Sequence, residues 1–91
     1  AEAMADLAKP RLRRDPGENN AYCYRPRGTS VVIAPWNFPL AILCGMTVAP
    51  LLAGNPVIVK PAEQSSLVGG LFAELVRESC DLPPGVFQFL P

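Results

Sequence analysis

An uncharged stretch from Gly28 to Val59 limits what this chain can fold into. It exceeds the roughly 20 apolar residues that a membrane-spanning helix needs, so a membrane-inserted hairpin is one alternative. Prolines interrupt the stretch, however, and leave Leu40–Ala49 as its longest interval without one. Buried strands of a parallel sheet also read as continuous Val and Ile runs, as in residues 31–33 and 57–59. We therefore predict a buried α/β core and no membrane span.

The elements predicted from Gly28 onward follow the order β-α-β-α-β. Strands are predicted over Val31–Ala34, Val57–Lys60 and Val86–Leu90, and helices over Leu40–Ala53 and from Ser65 or Ser66 to Ser79. Parallel strands joined by helices make right-handed crossovers. The predicted fold class is therefore α/β, a β-α-β-α-β portion of a doubly wound parallel sheet, as in part of a Rossmann-like domain.

Both predicted helices are strongly apolar. The first has almost no polar residue, so we expect it to be buried nearly all round. In the second, Leu67, Leu71 and Leu75 recur every four positions beside Val68, Phe72 and Val76. We expect this broad apolar stripe to pack on the sheet. The adjacent Gly69-Gly70 pair is unfavourable inside a helix, so either a neighbouring backbone lies close to it or the helix is locally frayed, and we favour close packing.

Residues 1–27 differ in composition from residues 28–91, which we predict to be the first part of a larger α/β domain. Ala1–Lys9 has helical potential, and Pro10–Arg27 is predicted to be a connecting arm with a short edge strand over Ala21–Tyr24. The arm contains five arginines, but the formal net charge of the whole chain is zero. A nucleic-acid partner is therefore not expected.

The cysteines and the absence of histidine narrow the possible chemistry. No histidine is present, which removes Ser-His and Cys-His nucleophile pairs. The three cysteines, at positions 23, 44 and 80, have neither metal-site nor disulfide spacing. We predict no metal site and a reducing compartment such as the cytoplasm, and no export signal is recognisable.

Polar groups follow the first predicted strand where the helix begins. Asn37 is expected either to cap that helix or to direct its amide outward as a donor to an oxyanion. Trp36 and Phe38 are apolar walls, and on residue type alone ordinary core positions are the more favoured interpretation.

Lys60 and Glu63 follow the second strand. Two interpretations remain open: a surface ion pair, or contacts to a nucleotide that lies across the strand ends. In the second case Lys60 donates to ribose or phosphate and Glu63 accepts from a ribose diol. A carboxylate at this place would repel a 2′-phosphate and so favour NAD over NADP.

Three segments resemble the aldehyde dehydrogenase superfamily: VIAPWNFPLAI over Val32–Ile42, AGNPVIVKPAE over Ala53–Glu63, and LPPGVFQFLP over Leu82–Pro91. The arm DPGENNAYCYRPRG over Asp15–Gly28 most resembles the 1-pyrroline-5-carboxylate dehydrogenase branch, which includes bifunctional proline-utilisation enzymes. The resemblance implies an enzyme that oxidises an aldehyde with NAD, in this branch glutamate γ-semialdehyde to glutamate. It also implies self-association of the full-length enzyme.

The resemblance assigns roles to ten residues. Asn37 matches the asparagine that stabilises the oxyanion, and Phe38 matches a wall of the aldehyde tunnel. The positions that match cofactor-binding residues are Ile33, Ala34, Pro35, Trp36, Lys60, Pro61, Ala62 and Glu63. The family's nucleophilic cysteine and general-base glutamate have no counterpart among these 91 residues. We therefore expect a fragment of a longer dehydrogenase that is inactive by itself. The alternatives are a non-catalytic α/β interaction module and a dehydrogenase for a different aldehyde.

Overall fold

A computed structural model describes residues 5–6 and 8–91, and the strands of these residues form two sheets. The elements are β1 Arg11–Arg13, β2 Asn20–Tyr22, β3 Ser30–Ile33, α1 Ala41–Leu52, β4 Val57–Lys60, α2 Ser66–Ser79 and β5 Phe87–Phe89. A single 3₁₀ turn, Glu63–Ser65, leads into α2. The predicted helical segment Ala1–Lys9 lies partly outside the described residues.

The larger sheet has the parallel order β3-β4-β5, which confirms the predicted β-α-β-α-β arrangement. The central strand, β4, has the predicted bounds, and the other strands and both helices differ from prediction by one or two residues at an end. In the β3–β4 pair, Ser30 is opposite Val57 and Ile33 is opposite Lys60. The carboxyl ends of these two strands therefore lie at the same edge of the sheet.

One face of this sheet carries the core. Val32, Val57, Val59 and Phe87 are buried there, because alternate residues of a strand point to the same side. Residues of both helices, Leu43 in α1 and Phe72, Ala73 and Val76 in α2, belong to the same cluster. The opposite face is open within the described residues, and Val31 and Ile33 are exposed on it.

Helix α1 is not buried all round by the described part of the chain, and that prediction is wrong here. Leu43 and Thr47 are its buried residues, whereas Met46 and Leu52 are more than two-fifths exposed. The Thr47 hydroxyl donates to the Leu43 carbonyl at 2.7 Å, so the buried hydroxyl is satisfied within the helix. A sheet on one side of a helix covers only the stripe that faces it. Neither helix combines the length and hydrophobicity needed to cross a bilayer, as far as the described residues go.

The predicted apolar stripe of α2 is confirmed only in part, because its Phe72 and Val76 are buried whereas its leucines are not. Leu67, Leu71 and Leu75 are all at least 60% exposed. The buried face comprises Gly69, Phe72, Ala73 and Val76, with the i, i+3, i+4, i+7 spacing of one side of a helix. Two of these residues are small, so the helix axis approaches the sheet more closely on this face than leucines would allow.

The arm forms a separate antiparallel hairpin, in which β1 pairs with β2 and Arg11 is opposite Tyr22. The predicted edge strand over residues 21–24 is thus present but begins and ends earlier. The rings of Tyr22 and Tyr24 meet edge to face, with centroids 5.1 Å apart. The pKa of Tyr22 is raised above its ordinary value, mainly by a side-chain hydrogen bond with Tyr24 and to a smaller extent by charge repulsion from Tyr24.

Asn55 joins the arm to the larger sheet. Its side chain is 8% exposed, and its Oδ1 accepts hydrogen bonds from the backbone N–H groups of Arg27 at 2.6 Å and Gly28 at 3.0 Å. Its Nδ2 donates to the carbonyl oxygen of Pro50 at 3.2 Å. One buried amide thereby connects the end of the arm, the last turn of α1 and the segment that enters β4.

Candidate functional site

The two predicted site segments begin side by side. Ile33 and Lys60, the last residues of β3 and β4, are register partners, and the backbone N–H of Ala34 donates to the Lys60 carbonyl at 3.3 Å. Parallel strands end at the same edge of a sheet, so the segment that follows each strand leaves from this edge. The structure therefore brings the two segments together where the sequence predicted.

The segment after β3 presents its aromatic side chains outward. Ala34 is 5% exposed and belongs to the core, whereas Pro35 is exposed. Trp36 is 64% exposed and Phe38 58%. The core interpretation of Trp36 and Phe38 is therefore wrong for the described residues, which leave both rings available to form walls of a site.

Asn37 does not cap α1. The N-cap position is Leu40, and no side chain makes a capping hydrogen bond there. A cap at Asn37 would accept from the N–H groups two and three residues later, and the first of these is Pro39, which has no N–H. Asn37 is exposed, so its amide lies at the surface of the loop rather than within the helix start.

Lys60 lies on the open face of the sheet. Val57 and Val59 face the helices, so Ile58 and Lys60 alternate to the other side, where Lys60 is next to Ile33. Lys60 is half-buried, and its Nζ donates to the carbonyl of Pro61 at 3.4 Å. The ammonium group thus stays close to the strand end and keeps donor capacity for a ligand.

The segment after Lys60 is held by its own backbone. Pro61 is almost fully buried, and Ala62 is extended with φ −68° and ψ 148°. The Ala62 carbonyl accepts from the N–H of Ser65 at 3.0 Å and from its hydroxyl at 3.2 Å. Ser65 is the N-cap residue of α2, but its side chain bonds backward to the loop and makes no capping hydrogen bond.

Glu63 is exposed at the start of the 3₁₀ turn. The ion pairs between described residues join Lys9 to Asp6 and Arg13 to Asp15. The ion-pair interpretation of Lys60 and Glu63 is therefore not what the structure contains, and the carboxylate is free to accept hydrogen bonds from a ligand.

The chemistry at this edge fits a dinucleotide. Ile33 and Trp36 offer exposed apolar surface for a flat ring, Lys60 offers an ammonium donor, and Glu63 offers a carboxylate acceptor for a diol. Asn37 adds an amide with two N–H donors next to the same edge.

Sequence reasoning missed two contacts, that of Asn55 near the amino ends of β3 and β4 and that of Gly69 with its neighbour at the candidate site. Asn55 appeared only as a polar interruption of an apolar stretch, although its position after Gly54, whose φ is +81°, marks a tight turn. Gly69 was expected to allow close packing, and it does: a Cβ there would lie 2.9 Å from Pro61. Gly70 has open space instead. The sequence contained no signal that Pro61 was the neighbour of Gly69.

Comparisons with known proteins show similarity along the whole chain. The aldehyde dehydrogenase family model matches residues 1–91. A 1-pyrroline-5-carboxylate dehydrogenase from Oceanobacillus iheyensis is 47% identical over 92 residues, covering 100% of this chain and 18% of that protein.

Two solved structures extend the similarity to the fold. Proline utilization A (PutA) from Bdellovibrio bacteriovorus, inactivated by N-propargylglycine, is 49% identical with a TM-score of 0.86, covering 97% of this chain and 9% of that one. A 1-pyrroline-5-carboxylate dehydrogenase from Thermus with bound NAD is 47% identical with a TM-score of 0.80. The match covers 99% of this chain and 18% of that chain. The chain thus spans about a fifth of the length of the curated relative. Because the family model matches along its whole length, the chain belongs to the aldehyde dehydrogenase family.

Proposed function

We propose that this chain forms part of an NAD-dependent aldehyde dehydrogenase that oxidises glutamate γ-semialdehyde to glutamate in proline catabolism. We call the longer polypeptide the parent enzyme. Residues 28–91 are the first part of its NAD-binding domain, and residues 1–27 are the arm. Family membership and the names of the similar proteins support this assignment. The observation that carries it is the register of Ile33 with Lys60, which starts both proposed site segments at one edge of the sheet.

The cofactor role is assigned to the strand ends. Bound NAD supplies the hydride acceptor for the oxidation. Lys60 and Glu63 hold the adenosine ribose through donor and acceptor contacts, and Pro61 and Ala62 shape the segment between them. Ile33, Ala34, Pro35 and Trp36 line the cleft. The exposed Glu63 carboxylate favours NAD because it would repel the extra phosphate of NADP.

The role of Asn37 is to stabilise negative charge on the substrate oxygen. Its exposed amide is not used as a helix cap, so both N–H donors are available to an oxyanion. Phe38, also exposed, forms a wall for the aldehyde. The nucleophilic thiolate and the general base come from other segments of the parent enzyme.

The remaining assignments concern assembly and location. We place the parent enzyme in the cytoplasm, or in the mitochondrial matrix of a eukaryote, because Cys23, Cys44 and Cys80 are free thiols. We also propose that the parent enzyme is a homo-oligomer and that its small-molecule partner is the aldehyde.

The test compares Asn37→Ala with Asn19→Ala in the parent enzyme. Asn19 is an exposed arm residue and serves as the matched control. We expect Asn37→Ala to lower kcat with glutamate γ-semialdehyde by about 10²–10³, the usual loss for one oxyanion donor, and to leave the Kd for NAD unchanged. The control should keep full activity.

Two results would contradict the proposal. Equal kcat values for the Asn37→Ala and Asn19→Ala variants would remove the oxyanion role. A parent enzyme that binds no NAD and yields no NADH with any aldehyde would favour the non-catalytic interaction module. Turnover with other aldehydes but not with glutamate γ-semialdehyde would contradict the assigned substrate alone.

A further inference from the structure

Gly69 lies on the buried side of α2, directly against Pro61. A Cβ placed on Gly69 would be 2.9 Å from both the Cβ and the Cγ of Pro61, and 3.3 Å from Cε2 of Phe89. Real Cβ atoms essentially never show contacts under 3.0 Å. Any side chain at position 69 therefore requires the helix or Pro61 to move.

Pro61 has little freedom to absorb such a contact within its own side chain. Its ring fixes φ and closes back on the backbone, so the ring and the main chain move together. Pro61 is also almost fully buried, with the Phe89 ring on the same side as Gly69. The displacement must therefore pass into the backbone that follows β4.

The two ends of this backbone are held differently. Before Pro61, β4 is fixed on both sides, since the Lys60 carbonyl accepts from Ala34 and the Val59 carbonyl accepts from the N–H of Leu90 at 2.9 Å. After Pro61, backbone and serine hydrogen bonds join the segment to the start of α2, since the Ala62 carbonyl accepts from Ser65 and the Glu63 carbonyl accepts from the Ser66 hydroxyl. Its one bond back to Lys60 comes from the end of a long side chain, whose Nζ donates to the Pro61 carbonyl at 3.4 Å. A shift at Pro61 consequently changes the position of Glu63 relative to Lys60.

We infer that Gly69 is a positioning residue for the Lys60–Glu63 loop. Because Gly69 has no side chain, this loop can lie close against α2. The distance between α2 and Pro61 sets where the Glu63 carboxylate stands relative to the Lys60 ammonium at the sheet edge. The ligand concerned is the ribose diol of a dinucleotide, so this inference rests on the proposed function.

Gly70 provides the matched control. It belongs to the same helix, and a Cβ there would meet nothing within 4 Å. Replacing either glycine with alanine raises helix propensity by the same amount. A difference in NAD affinity between the two variants therefore reports the contact with Pro61 and not a change in the stability of the helix.

The experiment measures NAD binding and steady-state kinetics of the parent enzyme with Gly69→Ala, Gly69→Val and Gly70→Ala. Overpacking costs at least about 1 kcal/mol, and if that free energy is lost from NAD binding the Kd rises about fivefold or more. We expect Gly69→Ala to raise the Kd and KM for NAD by about that factor, and Gly69→Val to raise them further. The kcat at saturating NAD and the KM for the aldehyde should change less than about twofold, as should every parameter of Gly70→Ala.

Either of two outcomes for the single variants would overturn the inference. One is the same NAD affinity for Gly69→Ala and Gly70→Ala. The other is a lower melting temperature and kcat for Gly69→Ala with unchanged NAD affinity, which indicates a purely structural role. If the Gly69 variants do not fold, Gly69→Ala is introduced into Pro61→Gly, where the obstructing ring is absent. It should then alter the Kd by less than about twofold, and a larger loss would also overturn the inference.

A Glu63→Lys variant separates this inference from the proposed function. If Glu63→Lys weakens NAD binding but Gly69→Ala does not, the positioning role alone fails. If Glu63→Lys leaves NAD binding intact, the assigned ribose contact fails, and the Gly69 inference fails with it.

Discussion

Replacing Asn55 with alanine should release the end of the arm from the larger sheet. The substitution removes the acceptor of two backbone N–H groups, those of Arg27 at 2.6 Å and Gly28 at 3.0 Å. The Pro50 carbonyl is less affected, because it also accepts from the backbone N–H groups of Ala53 and Asn55. The loss therefore falls mainly on the two amides of the arm.

The magnitude follows from these two bonds. Each lost acceptor costs about 1 kcal/mol where the amide is only partly buried and water can reach it, so the pair costs about 2 kcal/mol. That free energy corresponds to about 30-fold in an opening equilibrium. Hydrogen exchange reports such openings locally, without requiring reversible unfolding of a large protein.

The assay is amide hydrogen exchange of the peptide that contains Arg27 and Gly28, measured in the parent enzyme. Asn55→Ala should speed exchange of these amides by about 30-fold. Asn55→Asp keeps an acceptor oxygen and should retain most of the protection, and Asn19→Ala should leave exchange unchanged. If Asn55→Ala exchanges as slowly as the unaltered protein, the two bonds do not hold the arm.

Two further predictions concern the core and a turn. Val59 is fully buried in the central strand, so Val59→Ala should lower the free energy of unfolding of the parent enzyme by about 2 kcal/mol in denaturant titrations. Glu74→Ala, on the exposed side of α2, should change the free energy of unfolding by no more than about 0.5 kcal/mol. Equal losses of stability in the Val59→Ala and Glu74→Ala variants would contradict the core assignment. Gly54 has φ +81°, and a Cβ there would lie 3.2 Å from Pro26. Gly54→Ala should therefore lower the free energy of unfolding by about 1–2 kcal/mol. Gly45→Ala, in open space within α1, should not destabilise the protein, and the two melting temperatures check this difference.

The sequence was sufficient for the order of the elements because that order depends on local patterns. The Val and Ile runs before Pro35 and Pro61 specify short buried strands, and Gly54-Asn55-Pro56 ends a helix. Adjacent parallel strands then follow from the short crossovers, and so does the meeting of the segments after β3 and β4 at one edge. The resemblance to the aldehyde dehydrogenase family, carried by the same segments, added the proposed roles of the candidate site residues.

Helix faces were not predictable in this way. In α2, the predicted stripe includes three leucines that are exposed, Leu67, Leu71 and Leu75. The buried side instead combines Phe72 and Val76 of that stripe with the small residues Gly69 and Ala73. Hydrophobicity identifies residues that are suited to burial, but the approach distance between a helix and a sheet depends on side-chain size. The sequence alone does not rank these two effects.

Hydrogen-bond partners were equally beyond the sequence. Asn37 has a residue type and position that suit a helix cap, but Pro39 removes the donor that such a cap needs, and the helix begins later. Asn55 was overlooked, although its oxygen accepts from two residues of the arm.

The sequence by itself determined which strands and helices form and which of their ends are neighbours, because these depend on periodicity, prolines and chain connectivity. Only the tertiary structure decided which side of α2 is buried and which amide holds the arm. It also decided that Gly69 meets Pro61. Those outcomes depend on contacts between residues distant in sequence, whose geometry is set when the helices pack on the sheet.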